Sequence, residues 1–495
     1  MAEKRLEEIR KVRLEKAKKL RELGINPYPS KVKGKPMPIS EVRKSHSAKA
    51  SRDDFVEVAG RIMGWREHGN VVFADLKDET GKIQLWFQKN SLGEQFKLLK
   101  YFDIGDFIYT KGKVTKTSAG ELSVDVSDFQ VLTKSIRPLP STWHGLKDVE
   151  ERYRKRYLDL VLNEGVKDRF EIRSKIISSM RAFLDKAGYL EVETPTLQPI
   201  YGGGFAKPFI THHNALDSDF YLRISDEMYL KRIIVGGFEK VYEITKVFRN
   251  EGVDYDHNPE FTMFEAMAAF KDYNYGMDII EEIVEDATQK VLGKTVISYQ
   301  GTNLEFKRPW KRMKLVEAVK EYAGVDPLSW QSFEEAKESA KKLVVKEEKL
   351  KGLEHMHTIG EVAAFVFEEL VEEKLIQPTF IYDYPIEVSP LAKKCDDERF
   401  TQRFEMFAAG TEFGNNYTEL NDPVDLSKRF IEEKKREKAG FEEAHQTDYD
   451  YLTAIEYGFP PTCGVAIGID RIVMLFTDAQ SLKEVILFPT MRPEK

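Results

Sequence analysis

The chain has 495 residues, 32% charged and 41% hydrophobic, a size and composition typical of a globular protein with two or three domains. Its apolar runs are too short to span a membrane, and charges from Glu3 onward exclude a secretory signal, so no membrane partner is expected. Two cysteines argue against a disulfide framework or a cysteine-based zinc site and fit a reducing cytoplasm, and the net charge of −7 does not by itself favour nucleic-acid binding.

Residues 4–23 are rich in Lys, Arg and Glu, with apolar residues at helical spacing, and Gly24 and Pro27 end the pattern. This predicts an N-terminal helix. It could lie on an RNA backbone, or it could be a solvated amphipathic helix, and the sequence supports the two interpretations about equally.

Residues 55–135 contain five short strand-like runs separated by Gly, Asn and Asp, which predicts a small closed barrel of the OB type. Such barrels often bind single-stranded nucleic acid by stacking bases on aromatic rings, and Phe73 and Arg66 are candidates for this role. The alternative is that Phe73, Trp86 and Phe87 fill the barrel, which is the favoured interpretation for any single aromatic residue.

Residues 136–165 read as a linker followed by a helix with a basic run at residues 152–156, for which a solvated face is the default. A helix follows, with Gly188 as its C-terminal cap, and then a strand, EVETPTLQPI. Gly202, Gly203 and Gly204 favour a turn, although they also allow close approach to a ligand. Glu227 begins a short helix, where a carboxylate could act as an N-terminal cap.

Residues 240–270 alternate apolar and polar positions on both sides of a Gly/Asn/Pro loop, which predicts two antiparallel strands. Charges are concentrated near the turn, at Arg249, Glu251, His257 and Glu260. An arginine at a strand end suits phosphate or carboxylate, because its planar fork makes paired hydrogen bonds.

Residues 331–376 predict a helical insertion, and residues 377–430 return to strands. Glu405, Glu412 and Glu419 recur every seven residues in these strands. Acidic residues among strands need a partner, which could be a cation, a basic side chain or water. Nearby glycines allow kinks, so the faces of these glutamates cannot be assigned. Near the C-terminus a strand passes into a helix at about Asp470 and Arg471, without the glycine spacing of a dinucleotide site.

Three stretches resemble the signature motifs of class II aminoacyl-tRNA synthetases: GYLEVETP, then FRNEG with HNPEFT, then GIDRIVMLF. The order of the motifs and the N-terminal barrel resemble subclass b. NYTELND is most similar to lysyl-tRNA synthetases, because its Glu419 supplies the carboxylate that an ε-ammonium needs.

This resemblance implies an α+β multidomain fold, with a five-stranded OB-type barrel and a class II catalytic domain built on an antiparallel sheet with flanking helices. The expected boundaries are a helical extension and linker at 1–50, an anticodon-binding barrel at 51–135, a hinge at 136–165, and a catalytic domain at 166–495 with its insertion at about 331–376.

The resemblance also implies site residues, which fall into four groups. The catalytic residues are Arg249 and Arg471. ATP would be bound by Arg249, Glu251, His257, Asn258, Phe261, Glu405, Glu412 and Arg471, with Glu405 and Glu412 as Mg²⁺ ligands. Lysine would be bound by Gly203, Glu227, Arg249, Glu265, Asn415, Tyr417 and Glu419. The anticodon contacts would be Arg66, Phe73 and Gln84.

The implied function is the ATP-dependent attachment of L-lysine to tRNA(Lys) through a lysyl-adenylate, by a cytoplasmic homodimer that uses Mg²⁺. One alternative is a related enzyme that charges another amino acid, and a second is a catalytically silent RNA-binding protein. Departures from the family pattern are Met267 in place of the usual Tyr, Asp256 in place of a frequent Arg, and Cys463, Val465 and Ala466 in a segment that is often richer in glycine.

Overall fold

The computed structural model describes residues 2–46, 55–118, 120–140, 146–204, 206–252, 255, 257–344, 350–438 and 448–494. Asp256 lies outside the described residues. The chain divides into two compact units, one of Met1–Val149 with Val161–Asn163 and the other of Glu150–Leu160 with Glu164–Lys495. Across the described ranges, none of the helices is both long and apolar enough to cross a membrane.

The first unit is built on a closed five-stranded barrel, which confirms the OB-type prediction. Its strands are β1 (Phe55–His68), β2 (Val71–Lys77), β3 (Lys82–Gln88), β4 (Phe107–Lys116) and β5 (Leu122–Thr133), in the order β1-β2-β3-β5-β4. Alternate side chains point inward, as the period of a strand requires, so Val72, Ala74 and Leu76 of β2 fill the barrel.

Helices surround this barrel. They are α1 (Ala2–Glu22), α2 (Ile39–His46), α3 (Lys89–Leu92) and a 3-10 helix, Gly93–Tyr101. Arg13 of α1 is 7% exposed and donates hydrogen bonds to the carbonyls of Ile104, Ser135 and Arg137. Leu20 is buried as well. One side of α1 is therefore a packing face, and only its outer side is available to a partner.

The helices that follow in chain order belong wholly or mainly to the second unit. They are α4 (Val149–Arg154), α5 (Arg156–Leu162), α6 (Val166–Lys186), α7 (Glu227–Val235), α8 (Tyr273–Leu292), α9 (Leu315–Ala323), α10 (Phe333–Leu343), α11 (Ile359–Leu370), α12 (Pro423–Lys438), α13 (Tyr449–Glu456), α14 (Ile469–Phe476) and the short α15 (Leu482–Val485). Short 3-10 helices lie at Pro327–Ser329, Lys351–His355, Glu372–Lys374 and Ile386–Val388.

An eight-stranded sheet forms the centre of this unit. Its strands are β6 (Leu190–Glu191), β10 (Lys240–Phe248), β11 (Glu260–Ala269), β14 (Lys311–Lys314), β15 (Thr379–Pro385), β16 (Phe400–Ala408), β17 (Thr411–Thr418) and β18 (Thr462–Gly468). The order is β14-β15-β16-β17-β18-β11-β10-β6, antiparallel except for the β14–β15 and β10–β6 pairs at the two edges. The last strand in chain order, β18, thus lies between β17 and β11.

Two smaller sheets complete the unit. β7 (Leu197–Gln198), β8 (Ile210–His213) and β9 (Ser218–Leu222) pair in the order β7-β9-β8, and β12 (Val296–Tyr299) pairs with β13 (Thr302–Glu305). The prediction of one strand over EVETPTLQPI is only partly right. Two two-residue strands flank Pro195, which lacks the N–H that a continuous ladder needs.

The hydrophobic residues of the second unit form three clusters. The first packs α6, α8 and α14 against one face of the central sheet, around Phe264, Phe404 and Ile467. The second holds α7, α12 and α13 together. The third joins α9, α10 and α11 to β15, and this is where a helical insertion was predicted.

The basic run at residues 152–156 is only partly a solvated face, because Arg152, Arg154 and Lys155 are partly exposed and Arg156 is buried. Arg156 is 1% exposed, pairs with Asp159 at 2.5 Å, and donates to the carbonyls of Lys483 and Leu487. Arg152 pairs with the same Asp159 at 2.8 Å. Arg156 therefore anchors the C-terminal segment, because a buried guanidinium needs several oxygen acceptors, and Arg152 supports it through the shared Asp159.

Candidate active site

The predicted ATP and lysine residues converge on one cavity of about 390 Å³ in the second unit. Its lining includes Gly203, Glu227, Arg249, Glu251, His257, Asn258, Phe261, Glu265, Glu412, Asn415, Tyr417, Glu419 and Arg471. Of the residues predicted for these two ligands, Glu405 is the one outside the lining. Residues far apart in the chain meet here because β10, β11, β18 and β17 are neighbours in the sheet.

A β-bulge decides which side chains of β17 face the cavity. Met406 pairs with Gly414 and Phe407 pairs with Glu412, so Phe413 is an extra residue in the ladder. One extra residue reverses the alternation of side chains. Glu412 therefore shares a face with Asn415 and Tyr417, although simple alternation would put it on the other side.

Arg249 and Phe261 form one wall of the cavity. The guanidinium of Arg249 lies 5.2 Å from the centre of the Phe261 ring. Its Nε atom is buried and has no hydrogen-bond partner among the described residues. A buried donor without an acceptor is costly, so this atom is positioned for an anionic ligand such as a phosphate or carboxylate.

Arg471, at the start of α14, also lines the cavity. It donates to the backbone carbonyl of Glu412 at 2.5 Å and to the Glu412 carboxylate at 2.8 Å. Asn258 is buried and connects Glu260 to the backbone of Thr490. In this structure Asn258 therefore supports the loop between β10 and β11, while Glu251 and His257 on that loop are exposed.

Glu405 lies behind the cavity wall. It accepts a hydrogen bond from the Tyr384 hydroxyl at 2.7 Å and pairs with Arg403. The negative charge of Glu405 also acts on the half-buried carboxyl group of Glu372. Burial, followed by the charges of Glu405, Glu368 and Glu412, raises the pKa of Glu372 to about 8.

This acidic region suits a hard cation, because carboxylate oxygens are the preferred protein ligands of Mg²⁺ and mutual repulsion would be relieved by positive charge. Within the described ranges, no three His, Cys, Asp or Glu side chains are spaced to hold a metal by themselves. Two carboxylates together with nucleotide phosphates and water are a usual donor set of Mg²⁺, and the candidate carboxylates here are Glu405, which contacts Tyr384 and Arg403, and Glu412, which pairs with Arg471.

The other end of the cavity is rich in buried carboxylates. Glu227 accepts hydrogen bonds from the Tyr417 hydroxyl and from Lys231. Glu419 is 1% exposed, and its Oε2 lies 2.5 Å from Lys231. Both carboxylate oxygens of Glu419 are buried without a hydrogen-bond partner among the described residues, and the ion pair with Lys231 involves Oε2, so Oε1 is the more open of the two. This end is therefore suited to ammonium groups.

Glu265 lies between the two ends. It is in register with Glu243 of β10 and Ala466 of β18, and it accepts a 2.8 Å hydrogen bond from Ser225. Burial, followed by the charge of Glu227, raises the pKa of Glu265 to about 7. Its charge is thus sensitive to a cation placed beside it.

Met267 and Gly464 form the floor beneath Glu419. The two residues are in register on β11 and β18. A Cβ on Gly464 would lie 2.2 Å from Glu419 Oε1 and 3.1 Å from the sulfur of Met267. The thioether therefore stands beside the open carboxylate oxygen, at the place where the resemblance implies a tyrosine hydroxyl.

In the first unit, the three predicted anticodon residues share the outer face of the barrel. Arg66 is in register with Phe73, and Asp75 with Gln84. Arg66 makes a bidentate pair with Asp75 at 2.7 and 2.8 Å. Because β2 and β3 bury alternate residues, these side chains point outward, away from the barrel core.

The core interpretation of the barrel aromatics is correct for Phe87, which is fully buried, but wrong for Phe73 and Trp86. Those two rings are half-buried on the outer face and stack with centroids 6.1 Å apart. Trp86 was not singled out as a nucleic-acid contact. Its spacing from Gln84, two residues along one strand, is the signal that puts it on the same face.

Sequence reasoning also missed Lys231 and Arg403. Lys231 follows Glu227 by four residues, so one turn of helix brings them together. Arg403 precedes Glu405 by two residues on β16, and it also donates to Asn415 at 3.0 Å. In both cases the local spacing shows the pair, but the second partner, Glu419 or Asn415, comes from another strand.

Comparison with known proteins agrees with this geometry. Residues 148–492 match the family model described as tRNA synthetases class II (D, K and N), and residues 56–132 match that of an OB-fold nucleic acid binding domain. The chain is 50% identical to a lysine–tRNA ligase of Carboxydothermus hydrogenoformans over 100% of both chains. It is also 50% identical to those of Thermoanaerobacter pseudethanolicus (99% of this chain, 97% of the relative) and Clostridium tetani (92% of each).

Proposed function

Because the chain belongs to the lysine–tRNA ligase family of class II tRNA synthetases, we propose that it attaches L-lysine to tRNA(Lys) in two ATP-dependent steps at the cavity described above. The observation that carries the proposal is that one cavity has both an anion-binding side and a side that binds ammonium groups. An anion-binding wall, Arg249 over Phe261, faces the buried carboxylates Glu227 and Glu419.

In the first step the carboxylate of lysine attacks the α-phosphorus of ATP, and the bond to the bridging oxygen of pyrophosphate breaks. The attacking group is already an anion, so no general base is required. Arg249 holds the lysine carboxylate and the α-phosphate together, and Phe261 and Arg471 enclose the adenine. Rate acceleration then comes from positioning and from fixed positive charge.

In the second step the 3′-hydroxyl oxygen of the terminal adenosine of tRNA attacks the carbonyl carbon of the adenylate, the bond from that carbon to the phosphate oxygen breaks, and AMP and the hydroxyl proton leave. Glu251, His257 and Asn258 support the nucleotide from the loop between β10 and β11. Glu405 and Glu412 would hold Mg²⁺, which would supply positive charge to the phosphates and favour departure of pyrophosphate in the first step.

Lysine is selected at the acidic end of the cavity. Glu227 and the backbone at Gly203 receive the α-ammonium, with Glu265 beside them, and Glu419 receives the ε-ammonium. Asn415 and Tyr417 line the same side. This assignment is supported by the buried carboxylate of Glu419, whose Oε1 has neither a hydrogen bond nor an ion pair among the described residues, whereas its Oε2 pairs with Lys231.

The barrel supplies tRNA selection in this proposal. Arg66, Phe73 and Gln84 contact the anticodon, and Trp86 extends the stacking surface of Phe73. Support comes from the outward orientation of these side chains and the stacked ring pair. The proposed boundaries are the anticodon-binding barrel at 51–135, the hinge at 136–165 and the catalytic domain at 166–495.

We further propose that the enzyme works as a cytoplasmic homodimer. Several large apolar side chains near β6 and the β7-β9-β8 sheet are exposed: Leu190, Leu197, Ile210, Leu216 and Phe238. Exposed apolar side chains that lie close together are typical of subunit interfaces. A cytoplasmic location is in line with the two free thiols, Cys395 and Cys463.

Amino-acid-dependent exchange between ATP and pyrophosphate tests the function directly. Exchange with lysine, and not with ornithine, aspartate or asparagine, is the expected result. The second candidate, a related enzyme charging a different amino acid, is favoured by Met267 beside Glu419. Exchange with another amino acid alone would select that candidate, and absence of exchange with the whole panel would overturn adenylate formation.

A further inference from the structure

Lys231 is a buried cation whose position is not explained by packing alone. It is 0% exposed, and its ammonium lies between Glu227 and Glu419, 2.5 Å from Oε2 of the latter. The rings of Tyr417 and Tyr451 lie 5.2 and 5.8 Å from it. Carboxylates and ring faces together offset the cost of removing an ammonium from water.

The two carboxylates that hold Lys231 are the same two that we assign to the ammonium groups of the substrate. Each carboxylate has two oxygens, so it can serve two donors. Glu419 uses Oε2 for Lys231, which leaves Oε1 beside Gly464 on the floor of the cavity. A substrate ammonium can therefore bind without displacing Lys231.

The charges at this end of the cavity are balanced by the substrate. Glu227, Glu265 and Glu419 would carry three negative charges, and Lys231 is the cation in contact with two of them. Lysine adds two ammonium groups, so the balance is reached when lysine is bound. Without Lys231, repulsion and burial would both favour protonation of these carboxylates.

We propose that Lys231 is a positioning residue for lysine recognition, whose ammonium ties Glu227 to Glu419 and orients Glu419 so that one oxygen faces the substrate. This inference rests on the proposed function. Lys231 does not line the cavity, so it acts through the two glutamates. Its loss should then weaken lysine binding in a way that depends on pH.

The pH dependence follows from the groups around Glu419. Burial raises the pKa of Glu419 to about 8, while Lys231 lowers it and Glu227 raises it. The charged or titratable groups that face Glu419 are Lys231 and Glu227 on α7, Glu265 on β11, Tyr417 on β17, Tyr451 on α13 and Cys463 on β18. Removing Lys231 should move the ionisation of Glu419 to higher pH.

The test is lysine-dependent ATP–pyrophosphate exchange by the full chain carrying Lys231→Met, measured from pH 6.5 to 9.5. At pH 7.5 the KM for lysine should rise about tenfold or more, which corresponds to a one-unit shift, while the KM for ATP stays within about twofold. The loss should shrink toward pH 9.5. The titration of free lysine is common to both proteins and cancels in their ratio.

Arg232→Met is the matched control. Arg232 follows Lys231 on the same helix but pairs with Asp448 and Asp450 instead of the cavity glutamates. It should leave the pH profile for lysine unchanged. Lys231→Gln, which keeps a donor but not the charge, should show the same alkaline shift as Lys231→Met.

Each result has a defined meaning. A loss in Lys231→Met that is equal at all pH values, or equal for lysine and ATP, overturns the proposal. Loss of folding in both Lys231 variants, with Arg232→Met folded, assigns Lys231 to stability and also overturns it. Absence of lysine-dependent exchange in the unaltered protein refutes the proposed function instead, so the two failures are distinguishable.

Discussion

Replacing Gly464 with alanine would place a methyl group against the amine-binding end of the cavity. The added Cβ would lie 2.2 Å from Glu419 Oε1, and the sulfur of Met267 would be 3.1 Å away. An ordinary carbon–oxygen contact is longer, so the carboxylate must move by about 1 Å. The end of a glutamate side chain can move at little cost to folding, but its pairing with a ligand depends on position.

A displacement of this size at a binding group lowers catalytic efficiency about 100-fold, which corresponds to roughly 2.7 kcal/mol. We expect the KM for lysine in pyrophosphate exchange to rise by about that factor in Gly464→Ala, with the KM for ATP and the melting temperature little changed. Gly468→Ala is the matched control on the same strand, because its Cβ would meet atoms no closer than 3.8 Å. A KM for lysine within twofold of the unaltered protein in Gly464→Ala would refute the reasoning.

Three further outcomes are expected. Met267→Tyr places a hydroxyl near Glu419 and should lower the KM for lysine by up to about tenfold, since a hydrogen bond to a charged group contributes roughly 1.5 kcal/mol. An unchanged KM for lysine would mean that the hydroxyl does not reach the ligand. Burial and the charge of Glu227 raise the pKa of Glu265 to about 7. Its charged form is present above that pH, so the KM for lysine should rise as the pH falls through 7, and a KM for lysine that stays constant from pH 8 to 6 would contradict this. Phe73→Ala should raise the KM for tRNA in aminoacylation about 5- to 100-fold, because base stacking is lost. Pyrophosphate exchange does not need tRNA and should stay at the level of the unaltered protein. Equal loss in both assays would point to misfolding.

The periodicity of the sequence was sufficient to predict the barrel, the β10–β11 hairpin and the strand-to-helix step at Asp470. Each of these depends on local alternation or on a single glycine-containing junction. The face of Glu412 could not be predicted in this way. It is set by the bulge at Phe413, and a bulge is decided by the partner strand as much as by the strand itself.

Burial of charged residues was the other property that the sequence did not reveal. Arg156 stands in a polar stretch and Lys231 stands beside Arg232 in a mainly apolar helix, yet both are almost fully buried. Their acceptors come from distant parts of the chain: the carbonyl of Leu487 for Arg156, and Glu419 for Lys231. The charge of these side chains therefore predicts solvation, and the tertiary fold supplies the further acceptors that make burial possible.

The position of β18 in the central sheet has a consequence for synthesis of the protein. The β10–β11 half and the β15–β17 half are joined through this strand, which follows both in the chain. A nascent chain that has not yet released residues 462–468 from the ribosome has two half-sheets with unpaired edges at β11 and β17, and edges of this kind invite aggregation. The cavity is completed and these edges are paired at the same stage, late in translation. Prematurely terminated chains should therefore be inactive and dependent on chaperones.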